Sequence, residues 1–264
     1  MNHYEPRCRE AVAEPMMPTQ PLGGKSALVT GGARRIGRGI ALALAQAGAD
    51  VALTFRASRD EAAETAREIE SFGRRALAVE CDVRSEASVR SAVAAAAGCF
   101  GRLDLVVNNA AVFQSAPLDS ITLDEWDAVF ETNARGPFLV SREALAYLRA
   151  VEGRIVNIGS LGGIHAWASQ AHYCASKATL HMLTQAMAKA FAPEVSVNCV
   201  APGWIEIEGE ESKRATGQAA HFAAKTPMQR NGRVEDVAQA VLFFATGPHF
   251  VTGQVLAVDG GLGL

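Results

Sequence analysis

The sequence predicts an α/β domain in which a parallel sheet of seven strands is covered by helices on both faces. Three observations carry this. Short β-rich runs alternate along the chain with longer helix-forming stretches, the order that crossover-connected parallel strands require. A length of 264 residues with 49% hydrophobic and 20% charged residues suits one domain of ordinary size whose core is easily filled. A glycine-rich turn joins the first strand run to the first helical run, at the edge where such sheets bind anionic ligands.

Taken in order, residues 1–21 contain Glu5, Glu10, Glu14 and several prolines and read as a floppy tail, without the apolar centre of a signal peptide. The domain is expected to span 22–264. Strand 27–30 leads through Thr30-Gly-Gly-Ala-Arg-Arg-Ile-Gly-Arg-Gly39 into helix 36–47. Strand 51–55, helix 59–72, strand 76–81, helix 86–99 and strand 105–108 follow. One long helix is expected over 123–148, then strand 155–158, helix 171–191 and strand 196–200. Residues 204–228, rich in Glu, Gly and Ala, read as a lid, and helix 234–245 and strand 255–258 close the domain. In each helical stretch apolar residues recur at three and four. There is no repeat and no interdomain linker.

Composition narrows the function. A formal net charge of −3 without a basic block argues against nucleic acid or an anionic membrane surface as the main partner and favours a small soluble ligand. No apolar run approaches the roughly twenty residues of a membrane span. The five cysteines, Cys8, Cys81, Cys99, Cys174 and Cys199, form no Cys-x-x-Cys pair and no metal-ligand spacing. An odd count suits a reducing compartment, so a cytoplasmic protein with mostly buried thiols and no metal site is expected.

Two motifs carry chemistry. The glycine turn places backbone N–H groups and a helix N-terminus where a pyrophosphate would sit. Strand two ends at Phe55-Arg56, where many NAD-binding folds place an acid on the ribose hydroxyls. Arg56, with Arg34 or Arg35, could grip a 2′-phosphate through forked, charge-assisted bonds, which favours NADP(H). Tyr173 and Lys177, four apart on a helix and thirteen residues after Ser160, would stack a phenol above an ammonium. The ammonium favours phenolate, so the pair forms a general acid expected to exchange a proton near neutral pH.

With these motifs the chain resembles the short-chain dehydrogenase/reductase family from Leu22 to Leu264. Besides the glycine turn and Tyr-x-x-x-Lys it shows Cys81-Asp82-Val83, Asn108-Asn-Ala-Ala111, Asn133, Ser160 and Pro202-Gly203, at the strand ends and helix positions where that family has them. The resemblance implies a doubly wound, Rossmann-type sheet, hydride transfer between nicotinamide and a carbonyl or alcohol, and commonly a homotetramer, or a homodimer. It implies that Tyr173 protonates the carbonyl oxygen, that Lys177 holds the nicotinamide ribose, that Ser160 polarises the carbonyl, and that Asn133 positions a water linking Lys177 to solvent. Asp82 would hold the adenine amino group and Asn109 the adjoining ribose. The implied cofactor wall is Gly31, Arg34, Arg35, Ile36, Gly37, Arg56, Asp82, Val83, Asn109, Ala110, Tyr173, Lys177, Pro202, Gly203 and Ile205.

Departures bear on the substrate. Arg35 stands where the family usually has a glycine, and with Phe113, Pro117 and Asn133-Ala-Arg-Gly-Pro-Phe138 this is similar to pteridine reductases, in which an aromatic near Phe113 can stack a pterin. Those enzymes commonly carry an aspartate where this chain has Ser160. The serine, Tyr173, Lys177 and the closing Thr252-Gly-Gln-Val-Leu-Ala-Val-Asp-Gly-Gly261 are similar to 3-oxoacyl-acyl-carrier-protein reductases, so a 3-oxoacyl thioester or another ketone is the expected substrate. Ile207 replaces a family threonine that contacts the carboxamide. Phe113, His165, Trp167 and Trp204 are the expected substrate contacts. Arg135, Arg142 and Arg149 are the visible candidates for docking a carrier protein. Ala175, Ala178, Met182 and Met187 would allow helices to associate. An NADP(H)-binding sensor or scaffold that does not turn over is the alternative of another class.

Overall fold

The computed structural model describes residues 20–207, 209 and 217–264. Nearly all of the expected tail, and positions 208 and 210–216 of the expected lid, lie outside the described residues. In chain order the elements are β1 (Ser26–Val29), α1 (Arg35–Gln46), β2 (Asp50–Phe55), α2 (Arg59–Ser71), β3 (Ala76–Glu80), α3 (Glu86–Phe100) and β4 (Leu105–Asn108). There follow α4 (Leu123–Phe130), α5 (Gly136–Arg149), β5 (Arg154–Ile158), α6 (Ala171–Phe191), β6 (Ser196–Pro202), α7 (Gln218–Lys225), α8 (Val234–Thr246) and β7 (Val255–Val258).

The strands form one sheet in the order β3-β2-β1-β4-β5-β6-β7, every neighbour parallel. All seven expected strands are present, and the sheet is doubly wound. Strand order reverses between β1 and β4, which opens a crevice at their carboxyl ends. Because side chains alternate along a strand, each strand feeds two cores. Ala27, Val29, Val51, Leu53, Leu105 and Val107 face α1 and α8, where Ile40, Leu44, Val237 and Phe244 meet them. Leu28, Ala52, Val106 and Ile155 face the opposite way, against Val93, Phe100, Leu139 and Leu148.

Local chemistry sets the element ends. Ser85 accepts a hydrogen bond from Ser88 N–H at the start of α3, and Gly101, at φ 76°, ends it in the left-handed conformation. Thr122 and Glu125 close a reciprocal capping box on α4.

The single helix expected over 123–148 is instead α4 and α5 joined by a wider turn at Glu131–Arg135, where Gly136 N–H reaches back to Glu131 O. The reason is in the sequence: Pro137 has no N–H to give the carbonyl of residue 133, so regular α-helix cannot run through. Wide turns of this kind recur at functional sites, and this one carries Asn133. A further difference is α7, a helix formed inside the expected lid.

Arg135, Arg142 and Arg149 do not form an unneutralised basic patch: they pair with Glu131, with Glu86 and Glu143, and with Glu194. Met187 is buried against the sheet, whereas Met182 is 65% exposed. Cys81, Cys174 and Cys199 are buried and Cys99 is exposed; Cys8 lies outside the described residues. Among the described residues no helix is long and apolar enough to cross a membrane.

Candidate active site

One cleft of about 1120 Å³ runs along the carboxyl edge of the sheet. At the switch point, Thr30 Oγ1 accepts hydrogen bonds from the N–H groups of Asn109 and Ala110, and Asn109 Nδ2 donates to the carbonyls of Thr30 and Gly31. The ends of β1 and β4 are thereby laced together. Gly31, at φ 62°, needs the conformation that only glycine adopts freely. A Cβ on Gly37 would collide with Gly31 O and Asn109 Nδ2, so the helix can approach its own turn only without one. Arg35 also has a positive φ, of 54°.

Every residue of the expected cofactor wall lines this cleft. Two of them also bond neighbouring groups of the protein. Asn109 spends both amide hydrogens on backbone carbonyls and its main-chain N–H on Thr30 Oγ1, which leaves its two carbonyl oxygens for a ribose. Asp82 is gripped by Arg84, Nε to Oδ1 at 3.0 Å and Nη2 to Oδ2 at 2.6 Å, and that bond holds its carboxyl below the usual range. An adenine amine would share this carboxylate with Arg84. Arg34, Arg35 and Arg56 stand exposed together on the wall at the end of β2, beside Ser58, the first cap of α2, whose side chain makes no cap hydrogen bond. A close-approach glycine turn followed by three guanidinium groups fits a dinucleotide that carries an extra phosphate.

Ser160, Tyr173 and Lys177 meet at the other half of the cleft. Ser160 caps a short turn, its Oγ accepting from Gly162 N–H at 3.1 Å, and its hydroxyl faces that of Tyr173 and favours its ionised form. Lys177, 3% exposed, donates to the Ile158 carbonyl at 2.7 Å, with Nζ 5.8 Å from the centre of the Tyr173 ring.

The expectation of an easily ionised tyrosine is corrected. Burial raises the Tyr173 pKa, and the Ser160 hydroxyl only partly opposes it. Burial also pushes Lys177 down to about 8, since low dielectric disfavours both charged forms. Tyr173 therefore rests as the protonated acid.

Asn133 does not line the cleft. It is wholly buried, and its amide clasps both backbone groups of Val112 and Ser176 Oγ, while Ser176 Oγ donates to Tyr173 O. It thus fixes the β4 loop against α6. Of the expected substrate contacts, Phe113, Trp167 and Trp204 line the cleft and His165 does not. The Phe113 ring meets Tyr173 edge-on at 4.9 Å, and Trp204 stacks on Phe222 at 4.2 Å. His172 is fully buried with neither ring nitrogen hydrogen-bonded.

Sequence reasoning missed Ser58, Gln170, Phe222 and His181. The last three lie on helical segments whose facing depends on how α6 and α7 settle, while Ser58 was legible as a cap ahead of Arg59.

A family model described as Enoyl-(Acyl carrier protein) reductase matches residues 31–263. A 3-oxoacyl-acyl-carrier-protein reductase of Staphylococcus epidermidis is 34% identical over 241 residues, 90% of this chain and 98% of that protein. The chain belongs to the short-chain dehydrogenase/reductase family. Among solved members, a short-chain dehydrogenase from Burkholderia cenocepacia in complex with NADP is 38% identical with a TM-score of 0.86, over 92% of this chain and all of that one. A blue fluorescent protein from a metagenomic library, in complex with NADPH, is 37% identical with a TM-score of 0.86, over 92% and 99% of the two chains. Membership makes this short-chain dehydrogenase/reductase an oxidoreductase.

Proposed function

We infer that this short-chain dehydrogenase/reductase uses NADP(H) to reduce a ketone, with a 3-oxoacyl thioester the leading substrate. The observation that carries the reading is the convergence of Ser160, Tyr173 and Lys177 on the cleft whose far wall bears Arg34, Arg35 and Arg56. The NADP and NADPH complexes of relatives support the same cofactor.

When bound, the nicotinamide supplies the hydride. Gly31, Ile36 and Gly37 would hold the pyrophosphate, the three arginines the 2′-phosphate, and Lys177 the ribose. Ser160 polarises the carbonyl, and Tyr173 gives its proton to the developing alkoxide oxygen. The Lys177 charge then stabilises the phenolate left behind. Asn133 sits in the wide turn of Glu131–Arg135, where Pro137 removes the regular α-helical donor to its carbonyl, and would position a water that resupplies the proton.

A second reading, reduction of a pteridine ring, is favoured by one observation: Phe113, Trp167, Trp204 and Phe222 give the substrate end an aromatic wall suited to a flat ring. Against an acyl-carrier partner, the three candidate docking arginines are each paired with an acid. Exposed Phe138, Tyr147 and Met182 on α5 and α6 favour a homo-oligomer built through those helices.

The test is the initial rate of NADPH oxidation, with NADH as control, against an acetoacetyl thioester and a dihydropterin in parallel. Thioester turnover supports the first reading and pterin turnover the second. Tyr173→Phe should abolish turnover while NADPH still binds; a protein inert towards carbonyls, whose biological output survives that change, would instead be a sensor.

A further inference from the structure

His181 sits one helical turn beyond Lys177 on α6, buried at 8% exposure. The backbone around Ser160 is shaped to its ring. Nε2 accepts the Ser160 N–H at 3.4 Å, and the ring lies against the backbone of Gly163, so the imidazole touches both ends of the turn that aims Ser160. Because Nε2 accepts, the ring proton resides on Nδ1. Glycines stand on either side: a Cβ at Gly159 would strike Nε2, and one at Gly163 would lie 2.6 Å from Cε1. Cys199 Sγ borders the same space.

The ring's electrical state follows from its surroundings. Burial, and then the charge of Lys177, push His181 down to about 4. Cys199, raised by burial to about 12, stays a neutral thiol. Lys177 is thus the one cation of this cluster, and the imidazole offers an acceptor without a competing charge.

We propose that His181 is a positioning residue for the reductase reaction: its neutral ring fixes the turn from Gly159 to Gly163 so that the Ser160 hydroxyl meets the Tyr173 hydroxyl. This rests on the reading of Ser160 and Tyr173 as the groups that act on the carbonyl. The ring does not line the cleft, and its effect passes through the turn that carries Ser160. A relaxed turn would misplace Ser160 while leaving the arginine wall and Lys177 where they are. Misplacement of a reacting group by about 1 Å costs on the order of 100-fold in rate.

The experiment compares wild type, His181→Leu and His181→Gln in two measurements. The first is steady-state kinetics with whichever substrate the wild type turns over. Leu should lower kcat about 10- to 100-fold with the NADPH KM nearly unchanged, and Gln, which can again present an acceptor, should recover most of the loss. The second is 13C NMR of the Tyr173 ring carbon that bears the hydroxyl. With three tyrosines in the chain, Tyr173→Phe assigns the resonance. Loss of the Ser160 contact should shift it in His181→Leu as it does in Ser160→Ala, and Gln should return it. An unmoved Tyr173 resonance in the Leu variant overturns the proposal, as does wild-type kcat in that variant or a Gln variant no better than Leu. A wild type that reduces neither substrate counts against the proposed function alone, because the resonance still reports on the turn.

Discussion

Replacing Lys177 with methionine should make the protein more stable and nearly inactive at once. In the folded chain the ammonium is 3% exposed, and burial lowers its pKa from 10.5 to about 8. That difference corresponds to a cost of roughly 3 kcal/mol for keeping the group charged at pH 7. Methionine fills similar space without charge but leaves the Ile158 carbonyl without the donor it has at 2.7 Å, a loss of about 1–2 kcal/mol. The expected net gain is ~1–2 kcal/mol, or about 2–8 °C in Tm for a chain of this size. The sign of the pH dependence follows from linkage: between pH 8 and 10.5 the unfolded chain holds the proton and the folded chain has lost it, so this group's contribution to stability rises with pH. Urea unfolding of both proteins from pH 7 to 10, beside initial rates, is the assay. The methionine variant should lead at pH 7, and its lead should shrink as pH rises. A variant less stable than wild type at pH 7, or a lead that does not shrink, would refute the reasoning. In the wild type, kcat/KM should fall above about pH 8 as Lys177 loses its charge.

Further changes test other parts of the site. Arg56→Asp should lower kcat/KM with NADPH by about 10- to 100-fold through loss of a charge-assisted bond and raise it with NADH; equal losses with both cofactors would remove Arg56 from the phosphate site. Gly37→Ala should weaken NADPH binding in a fluorescence titration and destabilise the fold by about 1–3 kcal/mol, because its Cβ meets the Gly31 backbone and an Asn109 amide held by two hydrogen bonds; an unchanged Kd would sink the close-approach argument. Phe222→Ala removes the stack on Trp204 and should raise the carbonyl substrate's KM several-fold with the NADPH KM unaffected, about 1 kcal/mol for an aromatic pair.

The sheet was legible in the sequence because its seven strands are short apolar runs with turn residues between them, a signal that owes little to distant contacts. Legible too were the residues whose role is set by chain position alone: the glycine turn at the end of β1, Arg56 at the end of β2, and Ser160 after β5. What escaped depends on three-dimensional competition. The break between α4 and α5 was written in Pro137, yet strong helical periodicity on both sides hid it. The ionisation of Tyr173 came out with the opposite sign because the helical spacing to Lys177 is visible in sequence and the burial of both groups is not. His181 sits in an apolar-looking stretch, and its meaning comes from Gly159 and Gly163, some twenty residues earlier.

The reversal of strand order between β1 and β4 divides labour along the chain. The groups suited to the extra phosphate, Arg34, Arg35, Arg56 and Ser58, come from the first 58 residues, and the groups suited to the carbonyl come from position 113 onward. The hydrogen bonds that Asn109 and Ala110 donate to Thr30 and Gly31 stitch the two contributions together. Arg56 at the end of β2 and Phe222 on α7 share no hydrogen bond or ring contact among the described residues, so the free energies of changes at these two should add, within the few tenths of a kcal/mol typical of separated sites. Coenzyme preference and substrate choice are in this sense separate dials on one molecule, and a library that varies 56–58 can be crossed with one that varies 218–225 without re-optimising either.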